Sequence, residues 1–545
     1  MININKFPYS EMRPNQELIF NTINDNDNKR YIIIEAGTGT GKSGIAKTIC
    51  SSYDKSFIMT ATKQLQDQYK SEFKDIFSIK GKANYQCYYN KRLNCEIGPC
   101  ITNKNTRNDC VKNGLCPYYN ARKKALATPV VVSSYAYLLR ALDCAGFFKP
   151  RDIIVLDECH LLESQLIQWA TINLIPLELN EKYDLFSNVE FQDMVGISCA
   201  PELSGFKGNK DWLNRIWGLV VQKRLELFGK IEDKFDGKNP DDLTEEELDE
   251  ISNDHKGYYE VDKLYKKLEI FFNCRDKNDW LIEPENNGLI IIPLKLEDIF
   301  NRYINKWATK KIVFMSATIL DIDGFCKDFG ILKDQVLIIK TESEFDSLKS
   351  PIVYYPTGSM NYKNLDETMP KIVQSIKEII NNFPNDKGII HTGNYKITKY
   401  IYENINDERL LIKNDNENNE KIVKKHIESK NPTILLSPSL TMGLDLKDNL
   451  SRFQIVIKMP FSSLLDKRIK KKIEINNEWY ICQMFLNFLQ ACGRSTRSKD
   501  DWSITYVLDT SFYYWVAKYR TWFGKQFLKR IAWKKDSFDL DKFKK

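Results

Sequence analysis

Histidine is scarce: the 545 residues hold four, at positions 160, 255, 391 and 426. So few imidazoles argue against a His-rich catalytic or zinc centre. No apolar run approaches the ~20 residues of a membrane span, and the first residues lack a signal-peptide core. A membrane-spanning or exported chain is therefore not expected. Nor is charge of one sign in large excess, since 80 Lys and Arg against 73 Asp and Glu leave +7. That balance permits a nucleic-acid partner without requiring one, because it is common on solvated surfaces. No internal repeat is visible.

Cysteine, by contrast, occurs thirteen times. In a chain without an export signal these thiols belong to a reducing compartment, with some of them available to bind metal. Hydrophobic and charged contents of 42% and 28% are those of a soluble globular protein. The length exceeds a single core and predicts roughly three or four domains of ~150 residues.

The most informative stretch is Glu35-Ala36-Gly37-Thr38-Gly39-Thr40-Gly41-Lys42-Ser43. It follows the apolar run Tyr31–Ile34, read as a buried strand, and leads into a helical pattern over Gly44–Cys50. Glycines let successive N–H groups face an anion, and the helix N-terminus adds its positive end. Residues 36–43 are expected to cradle phosphates, with Lys42 reaching the β- and γ-phosphates and Ser43 ligating Mg²⁺. Ala36 stands where the pattern has its first glycine. The stretch reads as an NTP-binding loop.

Across residues 1–165, candidate strands at Tyr31–Ile34, Ser56–Met59, Val130–Val132 and Ile153–Leu156 alternate with helical patterns, which predicts a parallel sheet flanked by helices. Two segments interrupt it. One, from about Lys80 to Lys124, is Cys-rich and lacks periodicity. The other, from about Glu163 to Asn305, is mostly helical in pattern and contains the acidic run Asp241–Glu250, read as a solvated helix face. The strand signal returns at Lys311–Met315. The break at Ser343–Asn364, with Pro351, Pro356 and Gly358, reads as a linker. A second alternation follows, with strands at Gly388–His391, Thr433–Leu436, Gln454–Ile457 and Ile504–Leu508, and helices over Lys371–Asn381, Glu420–Ser429 and Glu478–Ala491. Two α/β modules in series suit a phosphate loop, which often works where such modules meet.

The strand Ile153–Leu156 ends in Asp157-Glu158-Cys159-His160. At the C-terminal edge of a parallel sheet, Asp157 is placed to hold Mg²⁺ and Glu158 to orient or deprotonate an attacking water. An acidic pair after a strand says little alone; about 115 residues after a phosphate loop, with His160 following, it says much. Ser316-Ala317-Thr318 ends a strand, where residues sense the nucleotide state. Gln490-Ala491-Cys492-Gly493-Arg494-Ser495-Thr496-Arg497 closes a helix, and its arginines suit neutralisation of charge developing on the γ-phosphate. Their bland alternative is surface ion pairing.

Taken together, Arg13-Pro14-Asn15-Gln16, the phosphate loop, Thr60-Ala61-Thr62, Asp157–His160, Ser316–Thr318 and Gln490–Arg497 resemble the motifs of superfamily 2 helicases across most of the chain. By position, the resemblance implies that Arg13 and Gln16 belong to the nucleotide site, with Gln16 at the adenine. It implies γ-phosphate fingers at Arg494 and Arg497 beside Gln490, and nucleotide contact and module coupling by Gly443 and Asp445. Five cysteines at 87, 95, 100, 110 and 116 lie in the Cys-rich insertion. Four thiolates there suit a [4Fe–4S] cluster or zinc, and spacing alone leaves both open. The placement of this insertion, its Asn84-Tyr85-Gln86-Cys87 opening and its Cys116-Pro117-Tyr118-Tyr119 ending resemble the XPD/DinG family, the DinG branch in particular. The resemblance implies a [4Fe–4S] cluster. Cys87, Cys100, Cys110 and Cys116 are taken as its ligands and Cys95 as the spare, since Gly98-Pro99-Cys100 resembles a ligand-placing turn. Cys144 and Cys159 read as small buried residues.

The expected architecture is thus two RecA-like motor domains in tandem. The first spans 1–165 and 306–345, with a cluster insertion at 80–125 and a helical, Arch-like insertion at 166–305; the second spans 346–545. The implied activity is an ATP- and Mg²⁺-dependent DNA helicase moving 5′→3′ on single-stranded DNA, acting as a monomer on forked or tailed duplexes in repair, replication or recombination. A cytoplasmic, nucleoid-associated place, or a host cytoplasm for a viral protein, goes with it. The alternatives are a DNA-stimulated ATPase that remodels protein–DNA complexes or R-loops, and a signalling NTPase. Tyr85, Tyr88, Tyr118 and Tyr119 either stack on bases or pack the small insertion, the second reading being favoured. Met442 stands where the family has Glu, and Cys159 where it has Ala. Because Gln16 is reached at once, the N-terminal exonuclease of some DinG relatives is not expected.

Overall fold

The structure is a computed structural model. It describes residues 1–545 apart from 38, 97–103, 145–147, 187–204, 236–244, 287, 344–345, 362, 414–418, 439–445, 447, 494–500, 535–537 and 545. The chain divides into two compact units, residues 1–34, 43–316 and 325–339, and residues 35–42, 317–324 and 340–545.

The first unit is built on strands β1 (Tyr31–Ala36), β2 (Ser56–Thr60), β3 (Phe77–Ser78), β4 (Val130–Ser134) and β5 (Arg151–Asp157). An insertion then contributes β6 (Ile172–Leu174), β7 (Trp280–Glu285) and β8 (Gly288–Pro293), after which the chain returns to the sheet with β9 (Ala308–Ser316) and β10 (Val336–Thr341). The seven-stranded sheet has the order β10-β1-β9-β5-β2-β4-β3. The pairings β2–β4, β2–β5, β3–β4 and β5–β9 are parallel. Continuous apolar runs such as Ile153–Leu156 are buried, as strands covered by helices on both faces must be.

The insertion between β5 and β9 is less purely helical than its sequence pattern suggests. Two long helices, Gly205–Phe235 and Glu245–Asn273, pack together through Trp217 stacked on Tyr265 at 4.9 Å and Arg224 paired with Asp262 at 2.7 Å. With them stands an antiparallel sheet, order β6-β8-β7. Glu245–Glu250 of the acidic run open the second helix; their side chains, and Asp241–Thr244 entirely, lie outside the described residues. The Cys-rich stretch holds helices at Lys104–Lys112 and Pro117–Ala127, too short for a periodicity to show.

The second unit adds β11 (Ile352–Gly358), β12 (Gly388–His391), β13 (Leu410–Leu411), β14 (Ile434–Ser437), β15 (Phe453–Val456), β16 (Ile504–Asp509) and β17 (Ile531–Ala532). Their order is β13-β14-β12-β15-β16-β11-β17, parallel throughout. β11 corrects the linker reading of Ser343–Asn364. Ile352, Val353 and Tyr355 are buried, and Pro356, which has no ladder donor, falls in the register shift between Tyr354 and Gly358. The helix placed at Lys371 begins at Leu365 and carries Pro370 inside it, forgoing one backbone bond. Phe383 stacks on Phe453 at 4.6 Å in this core. Gly388 is required there, because a Cβ would stand 2.3 Å from the Phe453 ring.

Candidate active site

β1, β9 and β5 are neighbours in the first sheet, so the phosphate loop, Ser316 and Asp157 follow adjacent strands. Asp157 ends β5 almost fully buried. Its Oδ1 accepts from the Glu158 N–H at 3.0 Å, its Oδ2 from the Tyr69 hydroxyl at 2.8 Å, and its carbonyl from the Tyr135 hydroxyl at 3.1 Å. Glu158 adopts a left-handed backbone, φ 54°, a strained conformation of the kind that clusters at functional sites. His160 Nδ1 lies 3.2 Å from Glu158 Oε2 and 2.8 Å from Ser316 Oγ. One imidazole therefore joins the carboxylate expected to handle water to the serine of the Ser-Ala-Thr motif.

The two tyrosines carry no sequence signal. Tyr69, on the helix Lys63–Glu72, and Tyr135 are fully buried. Burial, with Asp157 adding to it, holds the Tyr69 phenol well above its usual range, so it stays a neutral donor. Burial does the same for Tyr135, with Cys159 contributing.

In the phosphate loop, Gly39 and Gly41 take φ of 85° and 72°, conformations that only glycine adopts without strain. Gly37 passes so close to Ser343 that a Cβ would stand 2.7 Å from its backbone nitrogen. Thr40 Oγ1 donates to the Gly37 carbonyl at 2.8 Å, and Lys42 Nζ to that of Ala36 at 3.1 Å. Lys42 and Ser43 open the helix Lys42–Ser51, the orientation an anion requires. Glu35, which no sequence pattern marks, accepts from the N–H groups of Ile319 and Leu320 at 2.8 and 3.1 Å and pairs with Lys340 at 3.0 Å. It ties the loop's entry to the segment after Ser-Ala-Thr.

Gln16 is buried, and its Oε1 accepts from the Arg13 N–H at 3.0 Å, closing a capping box at the start of the helix Pro14–Asp25. Gln490 is half-buried near the end of the helix Asn477–Cys492. Thr38, Cys100, Gly443, Asp445, Arg494 and Arg497 lie outside the described residues.

Cys87, Cys95, Cys110 and Cys116 are all buried. The Cys87 N–H donates to Leu93 and the Cys95 N–H to Tyr85, on two arms joined by a bridge between Gln86 and Asn94. The Cys116 N–H donates to the carbonyl of Cys110 at 3.1 Å, and Cys116 caps the helix Pro117–Ala127. The Cys95 thiol, expected from sequence to be the spare, packs with Cys110 and Cys116 in one buried cluster. Burial, then Cys116 and Cys87, push it up to about 11. Among the described residues no three His, Cys, Asp or Glu side chains converge tightly enough to hold a metal ion. Four of the five cysteines of the insertion are nonetheless buried thiols within one small segment. Tyr118 is buried, with Tyr85 and Tyr119 against it at 5.7 and 5.6 Å, so these three pack the insertion. Tyr88 is exposed. Cys159 is fully buried as expected; the Cys144 side chain is outside the described residues.

Residues 9–186 match the family described as type III restriction enzyme, res subunit, and residues 376–529 match the helicase C-terminal domain. The chain is 22% identical to a probable ATP-dependent helicase of Methanocaldococcus jannaschii, over 94% of each chain. It is likewise 22% identical to the ATP-dependent DNA helicase YoaA of Haemophilus influenzae, over 94% of this chain and 92% of that one. In fold it is similar to a solved XPD helicase, TM-score 0.61 at 15% identity, covering 94% and 98% of the two chains. It is also similar to Xpd4 of S. tokodaii, TM-score 0.56 at 14% identity, covering 95% and 99%.

Proposed function

We propose, from the premise that this chain is an XPD/DinG-like superfamily 2 helicase, that it is an ATP-dependent DNA helicase moving 5′→3′ along single-stranded DNA and opening forked or tailed duplexes as a monomer. The observation that supports the reading is His160, whose Nδ1 hydrogen bonds Ser316 Oγ at 2.8 Å and lies 3.2 Å from Glu158 Oε2. A site that only hydrolysed nucleotide would need no contact between its water-handling carboxylate and the Ser-Ala-Thr segment; a motor that must couple hydrolysis to a bound strand does.

Each residue then has a task. Residues 36–43 cradle the phosphates with backbone N–H groups, Lys42 countering their charge. Ser43 and Asp157 would hold Mg²⁺, which would offset the negative charge of the phosphates when bound. Glu158, held by His160, orients the attacking water and accepts its proton. Arg494 and Arg497, with Gln490 before them, supply positive charge to the γ-phosphate, a term of roughly 10³–10⁵ in rate where such fingers act. Arg13 and Gln16 hold the base, and Gly443 and Asp445 contact nucleotide. Cys87, Cys110 and Cys116, with Cys100 or Cys95 as the fourth thiolate, would hold a [4Fe–4S] cluster, whose chemistry here would be cross-linking of the insertion. The domain limits follow the two alternations, with the insertions at 80–125 and 166–305. A cytoplasmic, nucleoid-associated place suits free thiols and a DNA substrate.

The test is strand displacement on 5′- and 3′-tailed duplexes, with iron analysis of the same anaerobic sample and Glu158→Gln as the control without turnover. Unwinding of the 5′-tailed substrate alone is expected, with about four iron per chain. ATPase activity indifferent to single-stranded DNA overturns the nucleic-acid reading.

A further inference from the structure

We infer that Tyr69 is a positioning residue of the metal–nucleotide site, its hydroxyl fixing the Asp157 carboxylate for Mg²⁺. The inference rests on the reading above that Ser43 and Asp157 hold the ion, and adds a group that none of the sequence motifs contains.

Tyr69 lies on the helix Lys63–Glu72, whose first turn is capped by the Thr62 side chain accepting from the Leu65 N–H. Its side chain is fully buried, and its ring leans on Phe73, the centroids 6.2 Å apart. From there the hydroxyl donates to Asp157 Oδ2 at 2.8 Å. The other oxygen of Asp157 is taken by the Glu158 N–H and its carbonyl by Tyr135. A carboxylate with a donor on each oxygen cannot swing, and its remaining lone pairs keep one direction.

The residue type matters. A lysine or arginine in this place would pair with Asp157 and compete with the divalent ion for its charge. An aliphatic side chain would fill the space but leave Oδ2 unheld. A buried phenol holds the carboxylate while leaving its negative charge intact, as partners outside the ligand shell do at metal sites.

The experiment is Mg²⁺ titration of DNA-stimulated ATPase for the wild type and Tyr69→Phe, with Mn²⁺ binding to the ADP complex followed by electron paramagnetic resonance as a readout independent of turnover. Thermal midpoints are recorded alongside. Loss of an outer partner costs roughly 10–100-fold in metal affinity, so the half-activating Mg²⁺ and the Mn²⁺ dissociation constant are each expected to rise about 10-fold, more than kcat falls. Tyr69→Leu, read the same way, covers the case in which the phenylalanine variant does not fold. A metal requirement unchanged in a folded variant overturns the inference, and so does a lowered midpoint with unchanged metal binding, which marks a purely structural tyrosine. A wild type without Mg²⁺-dependent turnover defeats the functional reading instead, and Mn²⁺ binding then judges Tyr69 alone.

Discussion

Cys95 and Cys100 differ by what each reveals in sequence. Cys100 follows Gly98-Pro99, a local turn signal, whereas nothing beside Cys95 marks it. The bridge from Gln86 to Asn94 folds one arm back on the other, and Cys95 packs in one buried cluster with Cys110 and Cys116. Spacing along a chain does not show such a contact. If Cys95 is a ligand, Cys95→Ser strips iron and sulfide from the anaerobically purified protein, while Cys100→Ser keeps both at about four per chain. Iron retained in Cys95→Ser and lost in Cys100→Ser reverses the assignment. Tyr69 was illegible for a related reason: its partner Asp157 lies 88 positions away, and an isolated tyrosine in a helix pattern reads as packing. The glycine-rich stretch and Asp157–His160 stand out in the sequence because each is a run of contiguous residues.

Among the elements, the central strands were readable to within a residue or three at each end, because Ile- and Val-rich runs bounded by polar residues admit few other readings. Gly388–His391 coincides with β12. The misses differ in cause. β11 carries Pro356 and lies in a stretch rich in turn residues, β6 is short and β7 carries Pro284 beside long helices, whereas β8 and β10 hold apolar runs that the expected strands leave out. Lys267 shows how the insertion's helix is fastened. It belongs to the helix Glu245–Asn273, and its Nζ donates to the Thr171 carbonyl at 2.8 Å, just before β6. Burial first, then Lys263 and Lys182, lower its pKa to about 8 from 10.5. The unfolded chain thus binds more protons than the folded one between pH ~8 and ~10.5, so this group makes stability rise with pH across that window. Lys267→Met should remove that rise. The thermal midpoint of the wild type minus that of the variant should climb by an amount worth about 1–3 kcal/mol from pH 8 to 10.5. A difference flat with pH shows the ammonium to be solvated as in the unfolded chain.

At the scale of the whole molecule, the double α/β alternation foretold two parallel sheets, and each unit has its own seven-stranded one. The division of the chain was less readable, since 35–42 and 317–324 group with 340–545. Contacts such as Glu35 to Ile319 and Leu320 make that grouping, and no composition shift announces it. Net charge bears on the proposed substrate more than on the fold. An excess of +7 over 545 residues is too small to attract nucleic acid through the molecule's overall field, so binding must come from local neutralisation of phosphates. Local neutralisation releases counterions, and for single strands log K falls with log salt at about −0.7 per phosphate contacted. With four phosphates engaged, raising KCl from ~50 to ~200 mM at fixed Mg²⁺ should weaken single-stranded DNA binding about 50-fold. Oligonucleotides of different base composition should follow the same slope, since phosphate contacts carry no sequence information. Fluorescence anisotropy over that range measures both. A slope near zero removes phosphate contact as the source of affinity, and a slope that changes with base sequence replaces backbone tracking with base readout, which a translocating motor cannot afford at every step.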